Sequence, residues 1–340
     1  MGGSLLEYLR MKVHPDIQNR SWTEILVKGE HKRTSSGVNI SSLEKRDKLF
    51  NWQRPTTTQI GSKTLQLLCF PGVDYVQHYA AITATYLSLT KRDPDIVRYV
   101  NPSQRQRLEP ILGSNLRKMG PVDIVIMGYV HGLQRWSQGG WEGGDNDELF
   151  AWKKLQSPNG HRIALLGCRV SFWGDIAGNV VRVLQKLNKV SCVLYVGKLG
   201  SLRAEHSPNQ WLATGCQSLV HSEMVQWENP LGPLVQDNAS VVQGLHCTLG
   251  SVLNETKEWL KEHRRKYYDF VDPEIGHMAR ASVDGGTQFG YLHIISDNLA
   301  MKYTHDLSNE RVNIVLQNRK KLVEEIEDIL GQFFEQWDPR

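Results

Sequence analysis

The sequence predicts an α/β fold built on a largely parallel sheet, and three observations carry that prediction. HRIALLGC, IAGNVVRVLQKLN and SCVLYVG follow one another as strand, helix and strand, the alternation that crosses a chain over between parallel neighbours. Phe289, Tyr291, Leu292, Ile294 and Ile295 form a nearly continuous apolar run, as expected of a strand covered on both faces. Just before that run lies a helix with its own punctuation: Asp272 suits the N-cap and Pro273 the first helical position, Ile275, Met278 and Ala279 give one apolar face, and Gly285 and Gly286 end it.

Taken in order, the first 60 or so residues are mixed and polar, with SWTEILVKG reading as a helix running into a turn and TSSGVNISS as a loop. TLQLLCFPG is the first clear element, a short buried strand. VDYVQHYAAITATYLSL then carries apolar residues at helical spacing, and NPSQRQRLEPILGSNLRKMG reads as a helix starting near Pro102 and bent at Pro110. PVDIVIMG is a strand followed by a segment with four glycines between Gly139 and Gly144. That segment lacks the ending of a P-loop and the GxGxxG spacing, so it reads as a surface loop or as one approaching a ligand. ELFAWKKLQ and HRIALLGC are strands joined by the turn signal SPNG. After SCVLYVG, strand and loop alternate through VVQGLHCTLG, and SVLNETKEWLKEHRRKYY is an amphipathic helix. SNERVNIVLQNRKKLVEEIEDILGQFFEQW closes the chain as a long helix with one apolar stripe.

At 340 residues the chain suits one large α/β domain with an added segment, or two domains. A net charge of +4, with 22% charged residues, is ordinary for a soluble protein and implies no nucleic acid or membrane partner. Five cysteines without CxxC spacing point to a reducing compartment, and no leader or membrane span is visible, so cytoplasm is the expected location. Cys69, Cys168 and Cys192 lie in apolar runs and read as buried thiols. No histidine and cysteine set has metal-ligand spacing, no GxSxG elbow is present, and nothing supports a cofactor.

VDPEIGHMARA followed by LHIISDNLA resembles the C-terminal signature of the nucleoside phosphorylase and nucleosidase superfamily. PVDIVIMG, HRIALLGC and VLYVGKLGSL resemble that family's earlier elements in the same order, so the likeness spans about residues 120–337. It implies a three-layer α/β/α sandwich whose mixed, largely parallel sheet is partly closed, preceded by an extra N-terminal region. The expected division is therefore an extension over residues 1–119, acting as lid, oligomer surface or regulatory module, and a catalytic domain over 120–340. It also implies a nucleoside or nucleotide substrate, phosphate as a possible second one, and a homo-oligomer.

In that family a glutamate contacts the ribose hydroxyls and a Ser-Asp pair handles the base, and Glu274, Ser296 and Asp297 fall on those positions. Without the resemblance, Glu274 could equally complement a helix dipole, and Ser296 or Asp297 cap the next helix. Cleaving an N-glycosidic bond builds positive charge on the sugar and negative charge on the base, so a carboxylate at one end and a buried, protonated carboxyl at the other suit Glu274 and Asp297. The glycine turn departs from the phosphorylase pattern. Tyr195 stands where that arginine would be, and Lys198, next to Gly197, replaces the hydroxyl residue; a lysine is a point charge, not a bidentate clamp. The acid with which nucleosidases activate water is missing too, and His131 is the nearest residue able to act as a base, although a loop histidine is more often simply solvated. Arg169 and Arg135 are further candidates for anion binding, and Trp173, Trp211 and Trp227 for stacking on a base or for core packing. The sequence therefore points to glycosidic cleavage of a purine nucleoside or nucleotide by water. Its alternatives are phosphorolysis at a remodelled phosphate site, a binding module without turnover, and a diverged chemistry in the same pocket.

Overall fold

Strand Ile124–Gly128 sends Val125 and Met127 into one hydrophobic cluster and Ile124 and Ile126 into another, so helices must cover both faces of the sheet to which it belongs. In the computed structural model, which describes residues 5–144, 148–305 and 312–339, they do. Helices Asp175–Asn188 and Ile275–Asp284 pack together on one face, and the long helix Asn313–Gln336 lines the other with Leu322, Ile326, Leu330 and Phe333. The result is the expected three-layer α/β/α arrangement. Each apolar side chain fully withdrawn from water in such a layer contributes about 1.5–3 kcal/mol.

The sheet's middle is parallel: Arg162–Cys168, Ile124–Gly128, Cys192–Ser201 and Gln288–Asn298 lie side by side in that order. Phe150–Gln156 closes one edge as the hairpin partner of Arg162–Cys168. Toward its carboxyl end, Cys192–Ser201 also pairs antiparallel with Phe270–Asp272, and from there His246–Thr248, Gln217–Val220 and Glu223–Gln226 extend the sheet. Leu212–Thr214 and Val241–Gln243 continue it on the other side of Gln288–Asn298. The sheet is thus mixed and branches around one long central strand.

A second, five-stranded sheet precedes it, in the order Val38–Asn39, Thr56–Ile60, Thr64–Cys69, Glu24–Gly29, Val97–Val100. Here the expectation for SWTEILVKG fails: Glu24–Gly29 is a strand, not a helix, because Ile25 and Val27 point alternately into the core while the backbone pairs in parallel with Thr64–Cys69. Helix Val73–Leu89 follows, as its spacing predicts, and its buried side chains belong to the same cluster as Ile176 and Val180 of the main body. Two reciprocal caps reinforce that junction. The Asp74 amide donates to Asp175 Oδ1 at 3.2 Å and the Asp175 amide to Asp74 Oδ2 at 3.1 Å, so each aspartate serves the other's helix N-terminus.

Smaller differences follow from capping. Ser103, not Pro102, starts helix Gln104–Leu112 through a capping box with Gln106. Thr256 caps helix Lys257–Arg265, leaving Glu255 outside it. Asp272 ends a strand and the helix proper begins at Ile275, yet Asp272 Oδ1 still accepts from the amides of Glu274 and Ile275 at 3.1 and 2.9 Å. Asp297, expected just past its strand, lies within the strand's last residues, beyond a bulge at Ser296. The predicted start of the last helix at SNER falls outside the described residues, as do 145–147 of the glycine-rich loop. Cys69, Cys168 and Cys192 are buried free thiols, and burial pushes the Cys168 thiol up to about 12. Among the described residues no helix is long and apolar enough to cross a membrane.

Candidate active site

The central strand Cys192–Ser201 runs past two acidic groups. At Tyr195 it meets Glu274: the phenol donates to Glu274 Oε2 at 3.3 Å. The loop that follows Arg162–Cys168 supplies the next wall, where Phe172 meets the Tyr195 ring edge-on with centroids 5.8 Å apart and the Gly174 amide donates to the Glu274 carboxyl. Farther along, Gly197 and Lys198 lie within the strand and not in the glycine turn expected of them, and a Cβ on Gly197 would lie 2.7 Å from His293 Nε2, so the missing side chain is what lets that imidazole lie against the strand. At Gly200 a Cβ would stand 3.2 Å from Asp297 Oδ2. Ser296 Oγ donates to Asp297 Oδ1 at 2.9 Å, fixing the carboxylate's orientation.

Glu274 sits over a buried polar network that the sequence did not reveal. Asp272, only 5% exposed, has Oδ1 3.1 Å from His246 Nε2 and Oδ2 4.0 Å from His293 Nε2, and both histidines are fully buried. Ser218 Oγ lies 2.8 Å from His246 Nδ1 and 2.9 Å from Thr248 Oγ1, which in turn accepts from the Gly276 amide at 2.9 Å. The two carboxyls separate electrostatically. Burial alone would push Asp272 up, but the hydrogen bond and charge interaction with His246, followed by His293 and the Ile275 amide, hold it below the usual carboxylate range. Burial, and then the Asp272 charge, push Glu274 well above that range, which favours its protonated form. Burial pulls the His293 imidazole down to about 4. The clue in the sequence was there: a histidine interrupting the apolar run of Gln288–Asn298, and another inside the short strand His246–Thr248.

Glu255, just before helix Lys257–Arg265, feels the charge of Asp297. Burial first, and the Asp297 charge second, push its carboxyl up to about 8. The linkage has a definite sign. Between the ordinary glutamate value near 4.5 and about 8 the folded protein keeps a proton that the unfolded chain has lost, so this group's contribution is fully present below that window and is lost as pH rises through it. Glu255→Gln is expected to flatten the fall in stability over pH 5–8, measured by urea denaturation at a series of pH values; an unchanged slope would show that Glu255 ionises normally.

The other predicted residues divide. His131 keeps contact with the solvent while its ring packs edge-on to Tyr129 and Phe50, with centroids 4.7 and 6.0 Å apart. Burial, then the charges of Lys48 and Lys198, pull it below its ordinary value, so it is a neutral imidazole near Lys198 of the strand Cys192–Ser201. Arg169 donates to the Gly144 carbonyl and pins the glycine-rich loop. Arg135 pairs with Asp328 at 2.5 Å and bonds Glu327, so its guanidinium is engaged on the closing helix. Trp173 stacks on His78 and donates to the Gly250 carbonyl, and Trp227 packs edge-on to Phe289. Trp211 lies near His206, with ring centroids 6.5 Å apart.

No family model matches the chain. The purine nucleoside phosphorylase of Schistosoma mansoni, solved in complex with adenosine, superposes with a TM-score of 0.51 at 10% identity, covering 69% of this chain and 98% of that one. The 5′-methylthioadenosine/S-adenosyl homocysteine nucleosidase of Campylobacter jejuni gives 0.49 at 13% identity, covering 64% and 100%. In sequence, the chain is 24% identical over 264 residues to the oxidoreductase cns1 of Cordyceps militaris, covering 70% of this chain and 33% of that protein. The chain thus spans about a third of the length of the curated relative it matches. The superposition on the phosphorylase shows the fold alone, and that fold is the one the resemblance of VDPEIGHMARA and LHIISDNLA implied.

Proposed function

We propose that this protein cleaves the N-glycosidic bond of a purine nucleoside or nucleotide, with water as the nucleophile. The observation that carries the reading is the pair of acids along one strand: Glu274 at Tyr195 and Asp297 at Gly200, at the carboxyl ends of parallel strands where ligands of open α/β sheets bind. In the proposed reaction the bond between the anomeric carbon and the ring nitrogen breaks and its electron pair stays with the base. Glu255, which holds a proton up to about pH 8, passes it to the ionised Asp297, which delivers it to the departing base, and Glu255 is reprotonated from solvent. Glu274, neutral, exchanges hydrogen bonds with the sugar hydroxyls, and the ionised Asp272 beneath it faces the cationic sugar with a fixed charge. Water adds to the anomeric carbon and gives its proton to the neutral His131 imidazole. Atoms balance as nucleoside plus water giving free base and free sugar.

Water is favoured over phosphate because the arginines that a phosphate clamp would use are engaged elsewhere, Arg135 on Asp328 and Arg169 on the Gly144 carbonyl. The redox name of the Cordyceps relative belongs to a protein of which this chain spans a third, and leaves open which part does that chemistry. The test is incubation of the pure protein with a panel of nucleosides and nucleotides, with and without phosphate, separating base and sugar products by chromatography. Free sugar formed equally under both conditions is expected. Sugar 1-phosphate would overturn the choice of water, and substrate binding without any turnover would overturn catalysis in favour of a binding module.

A further inference from the structure

Sequence spacing offers no metal site, but the fold brings together three ligands that lie far apart along the chain. Asp74 stands in the first turn of helix Val73–Leu89, His277 in helix Ile275–Asp284, and His221 at the turn between strands Gln217–Val220 and Glu223–Gln226. Their ligand atoms all lie within 4.8 Å of one another. His277 Nε2 is 2.8 Å from Asp74 Oδ2, and the His221 and His277 rings have centroids 5.8 Å apart. Asp74 is buried, His277 half-buried and His221 exposed, so the cluster opens toward solvent on the His221 side.

Asp74 is set in place. Its amide and its Oδ2 are fixed by the reciprocal caps with Asp175, and a Cβ on Gly174 or Gly250 would come within 2.6 Å of its Oδ2 or 2.8 Å of its Oδ1, so two backbone segments close around the carboxylate. His221 holds a backbone φ of +56° at that turn, a conformation histidine adopts more readily than most non-glycine residues. One carboxylate oxygen and two imidazole nitrogens suit a borderline transition ion; magnesium and calcium prefer sets made of oxygen.

We propose that Asp74, His221 and His277 bind a divalent transition-metal ion of the zinc type, with solvent completing its shell. With metal–ligand bonds of about 2.0–2.2 Å, binding replaces the direct His277–Asp74 contact and draws the His221 ring inward. The consequence is mechanical. The ion joins the N-terminal helix Val73–Leu89 to the helix that begins beside Glu274, three residues before His277. A plain ion pair between Asp74 and His277 would tie the same helices but would respond to no metal.

The test uses the full chain and cobalt(II) as a spectroscopic probe, with zinc as competitor and melting temperature as a second readout. His221→Asn is the informative variant, because the position is exposed and asparagine tolerates positive φ. Expected are visible-range cobalt bands that saturate at one ion per chain, their loss on adding zinc, and a zinc-dependent rise in melting temperature. In His221→Asn, affinity should fall by at least the roughly 10–100-fold that loss of a supporting partner costs, and the rise in melting temperature should vanish. No saturable cobalt spectrum in the wild-type chain, or equal affinity in the variant, overturns the proposal.

Discussion

Asp297→Asn is expected to lower base release by about 10²–10⁴-fold, the usual worth of a positioned general acid, while the melting temperature stays within about 2 °C of the parent. The stability half follows from what the side chain does in the fold. Asp297 is half-buried at the end of a strand, beyond the bulge at Ser296, and asparagine keeps an oxygen to accept the Ser296 hydroxyl. The activity half follows from chemistry: an amide cannot deliver a proton to a purine nitrogen. A third readout does not depend on turnover. Because the Asp297 charge helps push the Glu255 carboxyl to about 8, removing it should bring Glu255 back toward the ordinary range and shrink the loss of stability between pH 5 and 8. Base release close to the parent rate, with that pH slope reduced, would keep the charge interaction between the two acids and remove Asp297 from the chemistry.

The α/β layers were legible because their physics is local to each strand. A strand buried on both faces must be apolar at nearly every position, and PVDIVIMG, HRIALLGC and the run from Phe289 to Ile295 all are. Glu24–Gly29 was not legible. EILVKG is too short to separate a period of 2 from one of 3.6, and its strand character is enforced by parallel neighbours that lie later in the chain. The site shows the same division. Glu274 and Asp297 stand out because they punctuate a helix start and a strand end. His246 and His293 are single polar residues in apolar strands, and what they do depends on register: His293 is opposite Gly197, and His246 is opposite Phe270, two residues before Asp272. Asp74, His221 and His277 carry no local pattern at all, since three different elements deliver them.

The buried network makes Asp272 the position with the largest expected effect on stability. Asp272→Ala removes the acceptor of two amides at the start of helix Ile275–Asp284 and leaves the fully buried His246 Nε2 facing no carboxylate. Breaking a buried pair from one side costs about 3–5 kcal/mol, which chemical denaturation would read directly. Asp272→Asn separates the roles. It keeps an oxygen for the helix amides and so should cost much less, but it deletes the charge that, after burial, holds the proton on Glu274. Glu274 in this variant should therefore ionise at lower pH than in the parent. Since the proposed reaction needs a neutral Glu274, the alkaline limb of the pH–rate profile should move to lower pH in Asp272→Asn, with little change in melting temperature. A limb that stays in place would mean that burial alone fixes the state of Glu274, against the Tyr195 hydroxyl and the Gly174 amide, which favour its carboxylate, and that the Asp272 charge serves His246 and the helix start alone.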